Sequence, residues 1–218
     1  DITKIQKQTI AATKNLDGVS QSELEVDAHL QFIDGMSSAD IQDALIKTAV
    51  NKIDIDVPNW TFVAARLFTF DLYHRVGIAT SGSKGSPYSH ISTYLEHGKS
   101  EGKLLQNLGN GFDLEKINNA IVTDRDFLFN YLGVKTLYDR YLIKDKNGNP
   151  IELPQHMFMA VAMFLAQNEE DSVKDDVAIQ FYNVISKFEV MLATPTLSNA
   201  RTYRHQLSSC YIGSTPDN

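Results

Sequence analysis

The chain has 218 residues, and its 20 Lys and Arg against 27 Asp and Glu leave a formal net charge of −7, a balance that argues against generic binding of nucleic acid or other polyanions. At 43% hydrophobic residues the chain can bury a real core, which excludes a disordered tail or a disulfide-stapled miniprotein. Its one cysteine, Cys210, excludes an internal disulfide or a zinc site of several thiolates and points to a reducing, cytosolic compartment.

Residues 1–80 read as successive helices. Ile2, Ile5, Ile10 and Ala11 have near-helical spacing, and Asn15-Leu16-Asp17-Gly18 stops the run. Ser20 followed by Glu23 is a capping-box pattern, after which Leu24, Ala28 and Phe32 recur every four residues until Asp34-Gly35. A third helix opens at Ser38-Ala39-Asp40-Ile41 and carries Ile41, Leu45, Ile46, Ala49, Val50 and Ile53 on one stripe. Pro58-Asn59 starts a fourth, apolar on a wide arc through Trp60, Val63, Ala64, Leu67, Phe68 and Leu72. The Gly- and Ser-rich run from Gly77 to Gly85 reads as a linker and a domain boundary; its Gly82–Ser86 stretch lacks the spacing of a phosphate-binding loop.

From Ser86 to Ala193 the pattern is again helical: Tyr88–Gly98, Asp113–Asn118, Tyr131–Tyr141, Gln155–Gln167 and Val173–Leu192. One stretch looks like strand, because short apolar runs on either side of Asp145-Lys146-Asn147-Gly148-Asn149 carry the Asn-Gly signal of a hairpin. The fold expected is mainly α. The longest apolar stretch, Met157 to Ala166, is about half of what a bilayer crossing needs. The N-terminus Asp1-Ile2-Thr3-Lys4-Ile5 has no basic n-region and no apolar h-region, so no secretory signal is expected, and a truncated or excised piece of a longer protein is.

The last 25 residues differ from all that precede them. Thr194 to Cys210 packs six Ser and Thr hydroxyls, two arginines (Arg201 and Arg204) and a histidine into a stretch too polar for a helix core. Two readings stay open from the residues alone: an irregular Ser/Thr-rich connection with solvated arginines, or a site where hydroxyls and guanidinium forks hold an anion beside a thiol. The histidines show no metal-ligand spacing, so no metal site is expected. Asp124-Arg125-Asp126 reads as solvated or structural ion pairing, and Met157, Met159, Met163, Phe158, Phe164 and Trp60 as core.

The ordered string Thr-Pro-Thr-Leu-Ser-Asn-Ala-Arg-Thr from Thr194, followed by Gln206-Leu207-Ser208-Ser209-Cys210, closely resembles the large (alpha) subunits of class I ribonucleotide reductases where their catalytic barrel begins. Asp124-Arg125-Asp126 with Phe129, Tyr131 and Lys135 resembles a second family segment. His29-Leu30-Gln31-Phe32, Asp34-Gly35 and Ala64-Ala65-Arg66-Leu67 resemble the family's N-terminal ATP-cone. The resemblance implies three parts: a truncated helical ATP-cone (1–80) lacking its N-terminal hairpin, a helical region (81–193), and the start of a ten-stranded α/β barrel (194–218), with a strand near Leu207. It implies that Cys210 is the first thiol of the reducing pair, that Thr194 and Ser209 contact substrate, and that Asp217 and Asn218 contact the specificity effector. Lys4 and Ser38 would contact nucleotide in the cone; with the family's hairpin lost and His74 where some relatives have lysine, that binding is expected to be weak.

The implied activity is radical reduction of ribonucleoside diphosphates to deoxyribonucleoside diphosphates, in which a cysteine thiyl takes the 3′-hydrogen, the 2′-OH leaves as water and the dithiol reduces the intermediate. ATP or dATP and deoxynucleoside triphosphates would be effectors. The metal-radical cofactor would reside in a separate small (beta) subunit, with none in this chain. The implied partners are that beta subunit, a second large subunit, and thioredoxin or glutaredoxin as reductant, with no nucleic acid and no membrane. A helical nucleotide-sensing or protein-interaction module without chemistry is the alternative.

Overall fold

The computed structural model describes residues 2–29, 31–79, 87–204 and 206–214, all built from helices and their connections. Helices α1 (Ile2–Thr13), α2 (Gln21–His29) and α3 (Ser38–Asn51) pack in sequence, and each boundary has a local cause. Asn15 adopts φ 57° after α1, a left-handed conformation that stops a helix. Ser20 Oγ accepts the Glu23 amide at 3.3 Å, the N-terminal half of the expected capping box. Ser37 rather than Ser38 caps α3, its Oγ accepting from Asp40 N at 3.1 Å.

Helix α4 (Trp60–Ala79) is the longest described helix and is buried on several sides: Val63, Ala64 and Leu67 are fully enclosed, and Leu72 and Val76 nearly so. Its wide apolar arc lets it pack against α1 and α3 on one side and, on the other, against α7 (Tyr131–Arg140) and a 3-10 helix over Thr123–Leu128. It runs two residues beyond Gly77, where the linker was expected to begin; residues 80–86, most of that linker, lie outside the described residues.

Helices α5 (Ile91–Ser100) and α6 (Leu114–Asn119) follow, the latter capped by Asp113, whose carboxylate accepts from the amides of Glu115 and Lys116 at 3.1 Å each. Helix α8 (Pro154–Ala166) is buried on nearly every face, including Met157, Met159 and Met163, and packs mainly on α9 (Lys174–Ser186). These helices join those before residue 80 in one hydrophobic core. Among the described residues no helix is long and apolar enough to cross a membrane.

The mainly α expectation holds, and four details differ. The Asn147-Gly148 turn forms, with Gly148 at φ +86°, but the hairpin is reduced to one antiparallel bridge between Lys144 and Pro150. The ladder stops there because Ile143 N donates to the Glu152 carboxylate at 2.7 Å instead of back to Ile151 O. Among the described residues no strand forms near Leu207, because no neighbouring strand offers its backbone a partner. Helix α9 ends at Ser186, six residues short of Leu192, where Phe188 takes φ 62°. The stretch judged too polar for a helix instead begins with one, α10 (Thr194–Asn199), started by Pro195 in its first turn and burying only Leu197.

Candidate functional site

Helix α10 carries the start of the polar string, and a buried ion pair fixes its position. Arg201, one turn past Ala193-to-Leu197 helical bonding and fully enclosed, donates from Nε to Glu152 Oε2 at 3.1 Å and from Nη2 to Glu152 Oε1. The same guanidinium donates to the carbonyls of Leu197 and, at 2.8 Å, Tyr141. Glu152, also without exposure, accepts further from Tyr94 OH at 2.6 Å and Ile143 N at 2.7 Å. Both carboxylate oxygens and all three guanidinium nitrogens are thereby bonded, the condition for a buried pair to be tolerated. Burial opposes the Arg201 charge, but Glu152 beside it shifts the group upward overall, and burial beside Glu152 pushes the Tyr94 phenol well up.

A second buried network lies beneath the first. Asp126, on the 3-10 helix, accepts from Tyr73 OH (2.8 Å), Tyr88 OH (2.6 Å) and Gln155 Nε2 (2.8 Å), and Tyr182 OH donates to Gln155 Oε1 at 2.8 Å. No cation faces it among these partners. Burial pushes its carboxyl up to about 6 in spite of those three donors, which favour the ionised form. Arg125 points instead to Asn183 Oδ1 at 2.8 Å and Ser186 Oγ at 2.5 Å, above the Tyr182 ring. His156 sits between the networks, stacked on Tyr94 with ring centroids 4.7 Å apart, its Nε2 3.0 Å from Ser89 O and its buried Nδ1 without a partner among the described residues. Burial lowers it to about 4, so the ring is neutral at physiological pH.

The anchored α10 then presents the candidate residues. Thr194 is exposed, with its hydroxyl 3.0 Å from Tyr141 OH. Thr196 Oγ1 donates to Leu207 O at 3.2 Å and Asn199 Nδ2 to Gln206 O at 2.8 Å, so the chain folds back along the helix. Ser209 and Cys210 follow three residues later, both exposed, with Ser209 Oγ 3.8 Å from the free thiol. Thr194, Ser209 and Cys210 thus share one folded-back segment. Lys4 and Ser38 are exposed on the first turns of α1 and α3, and among the described residues no hydrogen bond or ion pair joins them. Asp217 and Asn218 lie outside the described residues. Among the described residues no three His, Cys, Asp or Glu side chains converge as a metal site.

Residues 127–205, from the 3-10 helix through α10, match the family model described as "Ribonucleotide reductase, all-alpha domain". The whole chain aligns at 64% identity with the ribonucleoside-diphosphate reductase subunit alpha of Helicobacter pylori, covering 27% of that protein. The chain belongs to the ribonucleotide reductase large-subunit family. It is 33% identical over 215 residues to the ribonucleoside-diphosphate reductase 1 subunit alpha of Salmonella typhimurium and 32% identical to that of Escherichia coli, with 97% of this chain and 28% of each relative aligned. The chain therefore spans somewhat over a quarter of the length of these reductase subunits.

The family string places Arg201 where sequence reading left two alternatives open, and the structure meets neither: the guanidinium is buried on Glu152, not solvated and not holding an external anion. Glu152, Asp126 and His156 were not singled out as one buried system. The signal available was weak, a charged residue inside an apolar run at Ile151-Glu152-Leu153.

Proposed function

We propose that this chain forms the N-terminal helical region and the first edge of the substrate site of a ribonucleoside-diphosphate reductase large subunit. The observation that carries the reading is the string Thr194–Cys210, pinned by Arg201 and Glu152 and ending in an exposed free thiol. In this role Cys210 is one of two thiols that lose two electrons and two protons to form a disulfide, while the ribose 2′-OH leaves as water and a deoxyribonucleotide is produced. Thr194 and Ser209 position the nucleotide next to that thiol. The second thiol, the radical cysteine and most of the substrate site belong to sequence that the 218 residues do not include. The metal-radical cofactor belongs to a beta subunit, ATP or dATP acts through the helices bearing Lys4 and Ser38, and deoxynucleoside triphosphates act near Asp217 and Asn218. A second large subunit and thioredoxin or glutaredoxin complete the set of partners, in the cytoplasm.

The test is steady-state turnover of a full-length parent carrying Cys210→Ser, with its beta subunit and physiological reductant. Substrate and effector binding should persist while multiple turnover stops, because a serine oxygen cannot form the disulfide. Unimpaired multiple turnover would overturn the assignment. The 218-residue protein alone should form no deoxynucleotide, since Cys210 is its only thiol.

A further inference from the structure

Beside α10, along Ser198 and Asn199, lies a cleft of about 500 Å³ lined by Lys103, Arg140, Lys144 and Arg204 and by no carboxylate. We propose that this cleft is a binding site for a small polyphosphate, a chain of two or more phosphoryl groups either free or carried by a nucleoside.

Three observations carry the proposal. First, the four cations are unneutralised: none takes part in an ion pair among the described residues, and Lys144 has only the Tyr138 ring, 4.1 Å from its ammonium. The acids nearest in sequence to Arg140 and Lys144 are otherwise engaged. Asp139 holds Lys135 at 2.6 Å, and the Asp145 carboxylate accepts from the amides of Asn147 and Asn149 in its own turn. In a chain of net charge −7, four like-charged residues lining one cleft without a counter-charge repel one another, a cost that an anionic ligand would relieve. Second, the donor set suits phosphoryl oxygens. Two guanidinium forks can bind them in pairs, and the Ser198 and Tyr203 hydroxyls, which also line the cleft, make no hydrogen bond within the protein among the described residues. Third, the cleft is held in shape. Tyr141, in its wall, is fixed through its carbonyl by Arg201, and Thr202 Oγ1 donates to Asn199 O at 3.0 Å while accepting from Arg204 N at 3.2 Å. A compact concavity of this volume suits a dense, small anion better than an extended acidic peptide. The half-exposed ring of Tyr203 offers a face on which a base could stack.

The cleft uses none of Thr194, Ser209 or Cys210, so its test is independent of the reductase reading. Calorimetric titration of the 218-residue protein at low ionic strength, with tripolyphosphate, ATP and a hexaglutamate peptide as probes, should show saturable binding of the two phosphates that weakens as salt is added. The double variant Arg140→Ala/Arg204→Ala should weaken both by about ten- to hundredfold. The pair Lys7→Ala/Lys47→Ala removes the same charge from exposed positions on α1 and α3 and should change either by less than about threefold. Thermal melts by circular dichroism show that each variant is folded. If ATP binds more tightly than tripolyphosphate and loses that surplus in Tyr203→Ala, the ligand is a nucleotide; equal affinities identify the polyphosphate alone. No saturable binding, equal weakening by both charge pairs, hexaglutamate binding above the phosphates, or loss of ATP binding in Lys4→Ala but not in the cleft pair would each overturn the proposal.

Discussion

Between Ile2 and Ala79 the fully buried polar side chains are Thr9, Thr48 and Thr69, hydroxyls that each donate to a carbonyl three or four residues back in their own helix. Lys52 in this region pairs with Glu23 and Asp27, both half exposed. From Tyr88 onward the buried set is Asp126, Glu152, Gln155, His156, Lys174, Ser186 and Arg201, and its key partners are remote: 49 residues separate Arg201 from Glu152, and 53 separate Tyr73 from Asp126. The first region is held by apolar stripes whose buried hydroxyls bond within their own helix, with Thr9 also donating to Glu25 on α2 and Thr48 accepting from Gln31. The second also depends on polar groups that only the assembled fold can satisfy, and it is this region that carries α10 and Cys210. Tyr73 on α4 reaches Asp126, so the two schemes meet at that buried hydrogen bond, and Arg75 to Tyr138 and Tyr131 to Thr61 also join the two regions.

The largest effect should come from breaking the Arg201–Glu152 pair. Glu152→Ala leaves a buried guanidinium without its carboxylate and should lower stability by about 3–5 kcal/mol, measured by urea denaturation. Replacing both members by apolar residues, Glu152→Leu with Arg201→Met, should recover most of that loss, as no such second change could for a cavity such as Leu67→Ala in α4, expected at about 2–5 kcal/mol. Failure of the double variant to recover would mean that position, not charge, makes the pair necessary.

Next in size is a pH effect in which two buried groups oppose each other. Asp126 is raised from 3.8 to about 6, so its contribution to stability is full below pH 3.8 and is lost as pH rises through about 6. His156 is lowered from 6.5 to about 4, so its contribution is full above pH 6.5 and is lost as pH falls toward about 4. Each shift amounts to about 3 kcal/mol, and across pH 4 to 6 the slopes cancel. Asp126→Asn should therefore make stability fall on acidification through this window, whereas His156→Phe should make it rise. Denaturation midpoints of both variants between pH 4 and 7 check this, and parallel slopes would refute it.

The smallest effect belongs to the turn at the edge of the second region. Gly148→Ala places a Cβ at φ +86° with nothing within 4 Å, so the cost is backbone strain alone, about 1 kcal/mol. A larger loss in thermal unfolding would show that the Lys144–Pro150 bridge supports more than its own turn.

The stripe Ile41, Leu45, Ile46 and Ala49 was legible because helical periodicity repeats within a few residues; Ile53, assigned to the same stripe, lies past the end of α3 and is 40% exposed. The Asn147-Gly148 turn was legible for the same local reason, while the ladder it announced depended on the Ile143 amide, which the buried Glu152 carboxylate takes instead. Cys210 emerged as a candidate only through the ordered string around it, since a lone thiol has no periodicity. Sequence by itself determined where most of the helices lie, the cap of α2, and the family to which the chain belongs, because propensities, caps and motifs act over short stretches. Only the tertiary structure decided that Arg201 is enclosed while Arg204, three residues on, faces a cationic cleft. The energy of a charge depends on the groups around it, and those groups arrive from segments about 50 residues away, brought together by the packing of helices that carry no trace of the pairing in their own sequence.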